Sequence, residues 1–453
     1  MKRIGDHAIV IGASMGGLLA ARALADDFET VTLLERDAFP VTDVSRKGVP
    51  QGDHAHGLLA RGRSVIEAFF PGWTDEVVAA GGIVGDLARD VAWFGHGIAL
   101  QPAPSDLVGL LASRPLLEGH VRRRLLALPK VRAIENCTVQ GLAASADTST
   151  ITGVRVRIDG AEQVIAADLV VDASGRGSQS PAWLDSLGYA RPAEERIEIG
   201  LGYTTRLYRR RPTDLGGKIA VVVAGSEPNW RNGVILFQSE DCWIVSVGGY
   251  FGDFAPDNAQ MFAAYAGSFP TREIHDIVAQ AEPLGEFKTY RYPANLRRRY
   301  ERLARFPNNY LVFADAICSF NPVYGQGITV AAQEAVLLRD AVGAGTANLA
   351  RRFFNVAAAV IDTPWDIAVG NDLRHPQVKG PRPAKVKFIN WYIGKLHRAA
   401  ERDGSLAKAF LRVANLEVAP QSLLHPSIVT RVIRGNLGHR RGDGEAAAAS
   451  ARA

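Results

Sequence analysis

Gly12, Ser14, Gly16 and Gly17 stand in the run Ile9-Val10-Ile11-Gly12-Ala13-Ser14-Met15-Gly16-Gly17-Leu18-Leu19. Small residues at that spacing, between an apolar run and an Ala/Leu-rich one, suit the binding of a pyrophosphate. Its oxygens need backbone N–H donors at a helix N-terminus, where the helix dipole favours negative charge. Gly12 suits the tight turn, small Ser14 lets the backbone come near, and Gly17 allows helix to pack on strand. Glu35 closes the next apolar run, about 20 residues on, where a carboxylate accepts hydrogen bonds from ribose hydroxyls. Its charge disfavours a 2′-phosphate at that place.

Two later segments extend this chemistry. Asp172-Ala173-Ser174-Gly175 directly follows the β-type run from Asp168 to Val171. A strand ending in Asp and small residues brings backbone close to a bound cofactor. Asp315, after the apolar run Leu311-Val312-Phe313-Ala314, leads on to Pro322, Gly325 and Gly327. An Asp at a strand end can accept from ribityl or ribose hydroxyls, and the N–H groups of a helix beginning at Gly327 stabilise negative charge on a reduced ring. Together the three segments describe a chain that folds back to enclose a flavin dinucleotide.

The polar loop from Arg46 to His56 follows the Glu35 strand and can reach the flavin edge. His54 and His56 are the first candidates for acid–base help, since imidazole titrates near neutrality. A metal site is disfavoured, because no third ligand accompanies them. Arg114, in Ser113-Arg114-Pro115, precedes a helix and can contact the cofactor's phosphates or its ring. The clusters Arg209–Arg211 and Arg297–Arg299 read as solvated faces, and the run Phe388, Ile389, Trp391, Tyr392 and Ile393 reads as core.

Positioning these residues takes a β-turn-α-β opening: strand 7–11, helix 16–26, strand 30–35. Residues 40–57 read as loop and 115–128 as helix. Residues 151–158 and 163–171 alternate like paired strands. Several β-type stretches (199–208, 218–224, 233–238, 242–249) predict a separate, mainly antiparallel sheet, with helices over 257–267 and 271–281. A strand at 309–314 returns to the first fold, a helix runs over 327–342, and 349–434 is mostly helical. The fold class is therefore α/β: a Rossmann-like dinucleotide-binding domain (1–85, 110–190 and 305–345), a β-sheet substrate domain (86–109 and 191–304) and a helical C-terminal region (346–441). The tail 442–453 is expected to be disordered.

Composition narrows the class. At 47% hydrophobic and 22% charged residues the chain has the balance of a globular protein with a large core. A net charge of +5 suits anionic cofactors or membrane surfaces; no nucleic-acid recognition motif accompanies it. Cys137, Cys242 and Cys318 lie far apart, with no C-x-x-C spacing, which fits a reducing cytoplasm. The N-terminus imitates a signal peptide, but Asp6 and His7 interrupt it and the segment reads fully as strand, turn and helix. No apolar run long enough for a membrane span occurs, although peripheral association would suit a lipophilic substrate.

At Gly12–Gly17, Asp172–Gly175 and Asp315–Gly327 the chain resembles FAD-dependent monooxygenases with the para-hydroxybenzoate hydroxylase type of fold. More narrowly it is similar to the polyether epoxidase-like branch, through Arg46-Lys47-Gly48-Val49-Pro50-Gln51 with His54-Ala55-His56, and through Phe320-Asn321-Pro322-Val323-Tyr324-Gly325-Gln326-Gly327. The resemblance covers roughly residues 7–435. It implies non-covalent FAD, with Gly12, Ser14, Gly17 and Glu35 at the ADP half and Arg36 beside them. Arg114 and Asp315 would hold the middle, and Gly325 and Gly327 would flank the ring. It also implies NADPH or NADH as reductant, directly or through a separate flavin reductase. One oxygen of O₂ would pass from a flavin C4a-(hydro)peroxide to an alkene or electron-rich ring of a lipophilic small molecule. Ser14 and Ala314 stand where Gly is usual. Cys318 stands where aromatic hydroxylases often have His, and the Trp-x-Trp-x-Ile-Pro signature of related halogenases is absent. Two rivals share the scaffold: a flavin reductase or dehydrogenase, such as a prenyl-chain reductase, and a non-catalytic flavin-binding accessory protein.

Overall fold

Five short strands rich in Val, Ile and Leu form a parallel sheet at the centre of the computed structural model, which describes residues 4–437. The tail from Gly442 lies outside the described residues. Strand Gly5–Ile11 pairs on one side with Phe28–Leu34 and on the other with Leu169–Asp172. Val131–Ile134 and Tyr310–Val312 complete the two edges. Both faces are covered, which is why these strands read as apolar runs rather than alternating ones. Helix Met15–Leu24 makes the first crossover and buries Leu18, Leu19, Ala20 and Leu24. Strand order reverses beside Gly5–Ile11, so the carboxyl ends of that strand and of Leu169–Asp172 open a crevice, the usual ligand position in such sheets.

A three-stranded antiparallel sheet (Cys137–Ala144, Ile151–Ile158, Ala161–Ala166) covers one flank. The expected single strand over 163–171 is in fact two. The Asp168 carboxylate accepts from Asp6 N (2.7 Å) and His7 N (2.9 Å), which turns the chain out of the hairpin and into the parallel sheet.

The third layer is an eight-stranded sheet built around Glu194–Arg209, Cys242–Tyr250 and Lys288–Arg298. Its pairings are antiparallel except where Ala220–Val223 meets Val91–Gly95. Thr204 lies on the face covered by helices Ala259–Ala266 and Glu273–Gln280, and Phe262 of the first helix is fully buried. Tyr203, Thr205, Tyr290 and Tyr292 lie on the opposite face, towards the His54 loop and Arg176. Helix Gly327–Gly343 packs against Met15–Leu24 and Leu349–Asp372, and helices Ala384–Ala400 and Gly404–Ala414 follow. No helix among the described residues is long and apolar enough to cross a membrane.

Two expectations are overturned here. Arg297, Arg298 and Arg299 are buried, not solvated. Arg297 pairs with Asp362 (2.7 Å), Arg298 with Glu194 (3.0 Å), and Arg299 with Glu195, so the cluster ties the long sheet to the C-terminal helices. Conversely Phe388, Ile389 and Trp391 are exposed, and of that run only Tyr392 is buried. A continuous apolar run on a helix spreads around all faces at about 100° per residue, so one packed side cannot hide it all.

Candidate active site

Gly12 has φ +92°, and a Cβ there would lie 2.8 Å from Ala173 O. A Cβ on Gly17 would lie 1.8 Å from Gly12 O, so the helix can sit against the strand end only with glycine at that place. Ser14 occupies the N-cap of Met15–Leu24, yet its hydroxyl does not cap. It donates instead to Glu118 Oε2 (2.8 Å), leaving the first N–H groups of the helix directed at the crevice.

The surrounding charges form a closed set. Glu35 Oε2 accepts from Ala13 N (2.9 Å) and pairs with Arg46 Nη1 (3.0 Å). Arg46 Nη2 reaches Glu118 Oε1 (3.2 Å) and Ala13 O (3.0 Å), and Arg114 Nη2 reaches Glu118 Oε2 (3.1 Å) and Ser14 Oγ (3.0 Å). Burial opposes charge on Glu118, but the Arg114 and Arg46 guanidiniums outweigh it and hold its carboxyl below the usual range. Burial likewise opposes charge on Arg46, and Glu118 and Glu35 outweigh it in turn. Arg36 is exposed beside this group.

Asp172 does not present its carboxylate to the crevice. It is fully buried, accepting from Ser174 N (2.9 Å), Ser178 Oγ (2.6 Å) and Ser180 Oγ, so it pins the turn from within. Only the backbone of Ala173 and Ser174 borders Gly12. Asp315 behaves oppositely: no protein group within the described residues donates a hydrogen bond to its carboxylate. Burial raises its pKa, with Arg114 and Arg176 acting against that rise. The nearest atom to a Cβ built on Gly327 is Asp315 Oδ1 at 3.9 Å, and nothing lies near one built on Gly325, whose φ is +64°. Pro322 opens the short turn Pro322–Tyr324 that leads there. Helix Gly327–Gly343, like Met15–Leu24, has no side-chain cap at its N-terminus.

Just before Asp315, Ala314 holds φ +54° in the left-handed region, a strain of about 1 kcal/mol or more for a residue with a Cβ. Its N–H donates to Glu334 Oε2 (3.0 Å), and burial pushes Glu334 up to about 8. Ala314 is thereby fixed from the helix that carries Gly327 at its start.

His54 and His56 are packed into the loop that faces Tyr203 and Thr205. His54 Nδ1 shares a hydrogen with Thr205 Oγ1 (2.7 Å), and its ring meets Tyr203 and Tyr290 edge-on at 4.8 and 5.6 Å. His56 Nδ1 bonds His54 O (2.9 Å). Burial lowers His54 to about 4, and burial with the nearby Arg114 lowers His56 to about 3. Burial therefore favours the neutral form of both rings near pH 7.

Several residues escaped the sequence reading. Glu118 stands four residues after Arg114 on one helix, a spacing that could have been read as an ion pair. Arg176, inside the Asp172–Ser178 segment, donates to Tyr292 OH (3.0 Å) and Ser319 Oγ (3.2 Å). Asp372 is buried beneath the Pro322 turn, accepting from Asn295 (2.7 Å), Asn321 (2.9 Å) and Tyr324 OH (2.7 Å). Burial, only partly offset by those bonds, pushes it up to about 6. No local pattern announces Arg176 or Asp372, because their partners come from distant segments.

No protein-family model matches the chain. It is 32% identical over 447 residues to Protein Rv3254 of Mycobacterium tuberculosis, covering 95% of this chain and 94% of that one. Among solved structures it is similar to PqsL, a probable FAD-dependent monooxygenase from Pseudomonas aeruginosa, with TM-score 0.61, 19% identity, and coverage of 82% of this chain and 97% of that one. It is likewise similar to the p-nitrophenol 4-monooxygenase PnpA of Pseudomonas putida DLL-E4, with TM-score 0.62, 16% identity, and coverage of 92% and 99%. These likenesses establish a shared α/β fold with its β-sheet layer and C-terminal helices.

Proposed function

Since the chain belongs to the family of the Mycobacterium tuberculosis protein Rv3254, we propose that this family member is an FAD-dependent monooxygenase acting on a lipophilic small molecule, nearest to the polyether epoxidase-like branch. The observation that carries this reading is a pair of uncapped helix N-termini, at Met15 and Gly327, opening on one crevice. A helix end of this kind is a site for anionic charge. FAD has two such charges to place, a pyrophosphate and the negative charge of its reduced ring.

The residues fit that group. Gly12, Ser14, Gly16 and Gly17 would hold the pyrophosphate against Met15–Leu24. Glu35, with Oε2 engaged by Ala13 N and Arg46 and Oε1 accepting from Asp37 N (3.2 Å), keeps a second lone pair on Oε1 as acceptor for a ribose hydroxyl, and Arg36 would lie near the adenine end. Arg46 and Arg114 bring positive charge to the middle, and Asp315 offers a carboxylate that has no donor among the described residues. The open backbone at Gly325 and Gly327, preceded by Pro322, would flank the ring. Asp172 contributes by fixing the Ala173–Ser174 backbone.

Bound FAD would supply the two-electron chemistry that splits O₂, one atom passing to an alkene or ring carbon and the other to water. The protein orients substrate and excludes water. Tyr203, Tyr290 and Tyr292 form an aromatic ceiling whose phenols burial holds above their ordinary range, so they serve only as neutral donors. Neutral His54 and His56 position that ceiling and the Arg46 loop without changing charge. NADPH or NADH supplies electrons, directly or through a separate reductase. The cysteines Cys137, Cys242 and Cys318 are all free and buried, in keeping with a cytoplasmic enzyme.

The test is anaerobic reduction of the purified protein by NADPH and by NADH, then rapid mixing with O₂ while flavin absorbance is followed. A transient species before oxidised flavin, with label from ¹⁸O₂ in product, is the expected result. Direct reoxidation with unlabelled product favours a reductase, and absence of bound flavin removes the proposal.

A further inference from the structure

A cavity of about 470 Å³ lies between the far end of the eight-stranded sheet and the segment joining the last helices. Its walls include His96, Glu227, Trp230, Arg374, Arg382 and Lys387. Arg374 is half-buried there, and its side-chain hydrogen bonds go to neutral groups. Nη1 donates to Asn371 Oδ1 (2.8 Å), Nη2 reaches His96 Nδ1 (3.2 Å), and its guanidinium lies 5.5 Å from the centre of the Trp230 ring. Arg382 spends its donors on the carbonyls of Leu373 (2.9 Å), His375 (3.2 Å) and Val378 (2.6 Å). Among the described residues no carboxylate lies within ion-pair distance of Arg374, Arg382 or Lys387. Glu227 at the rim is the one acid on the wall and is exposed. Residues 373–400 contain seven Lys or Arg and no Asp or Glu.

A half-buried guanidinium whose acidic neighbour Glu227 is exposed and beyond ion-pair distance is only partly compensated for the water it has lost. Here burial depresses its pKa, and neutral His96, itself held at about 4 by burial and by Arg374, adds no charge to relieve it. The arrangement leaves one large stabilisation unrealised: an anionic oxygen group against Arg374, with Arg382 and Lys387 at the rim. Trp230 beside it supplies a flat apolar wall for the body of the same molecule. Arg374 also connects inward. Asn371, which it holds, donates to Tyr324 OH (2.8 Å), and Tyr324 donates to Asp372 beneath the Pro322 turn.

We propose that this cavity binds the carboxylate or phosphate group of an organic anion with a flat apolar body, and that the anion is the enzyme's substrate. The second clause rests on the monooxygenase reading above; the first does not. Anchoring at Arg374 fixes the charged end of the molecule two hydrogen bonds from Tyr324, which precedes Gly325.

The experiment is isothermal titration of the full chain, as purified, with 2-naphthoate, 2-naphthyl phosphate and the neutral isostere 2-naphthamide, with flavin content read from the absorbance of the same samples. At least one anion is expected to bind ten-fold or more tighter than the amide, weakening as salt rises. R374Q should remove that preference, and K387Q, at an exposed position that cannot unfold the chain, should reduce it several-fold. Which anion prevails tells carboxylate from phosphate. Equal binding of anions and amide, or anion binding unchanged in both variants, overturns the proposal. Anion selectivity without flavin would instead sink the monooxygenase reading and leave the anion site standing.

Discussion

Around the N-terminus of helix Met15–Leu24, Glu35, Arg46, Arg114 and Glu118 are joined to one another or to Ala13 and Ser14 within 3.3 Å. Around the N-terminus of Gly327–Gly343, Asp315 has no hydrogen-bond donor among the described residues, Gly325 faces open space, and the backbone at Ala314 is strained. Neither helix has a side-chain cap at its N-terminus, and the two regions meet where a Cβ on Gly16 would lie 3.0 Å from Ala314 Cβ. The first end is finished by protein contacts; the second lacks such contacts among the described residues. Rigidity at one end and incompleteness at the other suit a cofactor whose ADP half is merely held and whose ring must react.

The largest effect that can break this contrast comes at Gly17. A Cβ 1.8 Å from Gly12 O must push helix from strand. Gly17→Ala should lose ~3 kcal/mol or more of stability, with loss of retained flavin. Gly16→Ala, whose Cβ would meet only Ala314 Cβ at 3.0 Å, should stay within about 1 kcal/mol of the parent. Thermal unfolding and flavin content of the pair decide the matter; similar losses in both would mean the close approach at Gly17 is not what makes this end rigid.

Next comes Glu118. Its carboxylate joins Arg46 to Arg114 and Ser14 in a buried setting. Removing it leaves the Arg114 guanidinium without its carboxylate, while Arg46 keeps Glu35 and Asp37, and breaking a buried pair costs about 3–5 kcal/mol. Glu118→Ala should shift the urea midpoint by that order even without flavin. A shift under about 1 kcal/mol would show that the protein contacts do not finish this end.

Asp315 should give the opposite signature. Its folded pKa is raised by burial, so the folded state prefers the protonated form. The destabilisation from its charge is therefore full above the folded pKa and is relieved as pH falls towards the unfolded value near 4. Asp315→Asn should leave the flavin-free protein as stable or more stable at pH 8, with the advantage shrinking by pH 5, while weakening FAD by about 10–100-fold, the loss of one or two hydrogen bonds to a charged group. Flavin affinity and flavin-free melting temperature, measured together, test it; a variant that melts lower with FAD affinity unchanged would make Asp315 a structural residue.

What the sequence made legible follows the same division. The glycine turn, Glu35 and the strands around them rest on local spacing and on apolar runs, so strand, turn and helix were readable within a few residues. Arg46 and Arg114 were marked as binders, but Glu118, which joins them, was not, since a Glu four residues after an Arg is common on any helix. At Asp172 the motif was read as bringing backbone close to a cofactor, and what the sequence did not show is that the hydroxyls of Ser178 and Ser180 take its side chain. Arg297 and Asp372 were invisible because burial of a charge depends on partners from remote segments, and Trp391 was misread because a run of apolar residues does not say which side of a helix is covered.

The smallest expected effect is at the histidines, and it separates positioning from proton transfer. With His54 at about 4 and His56 at about 3, neither changes charge between pH 6 and 9. Turnover in that window should follow the same pH profile in the parent and in His54→Asn, with rates reduced by less than about ten-fold, below the 10²–10⁴ typical of lost acid–base catalysis. Stability should respond instead. A histidine with a depressed folded pKa contributes stability that is present above the unfolded value near 6.5 and is lost as pH falls towards the folded value, at up to about 1.4 kcal/mol per pH unit. The parent should thus weaken between pH 6.5 and 4 more steeply than His54→Asn, read as denaturant midpoints at each pH. If His54→Asn instead removes a limb of the turnover profile near neutrality, the imidazole carries a proton in the reaction, and the ring end of the crevice contains an acid–base group that burial alone would not allow.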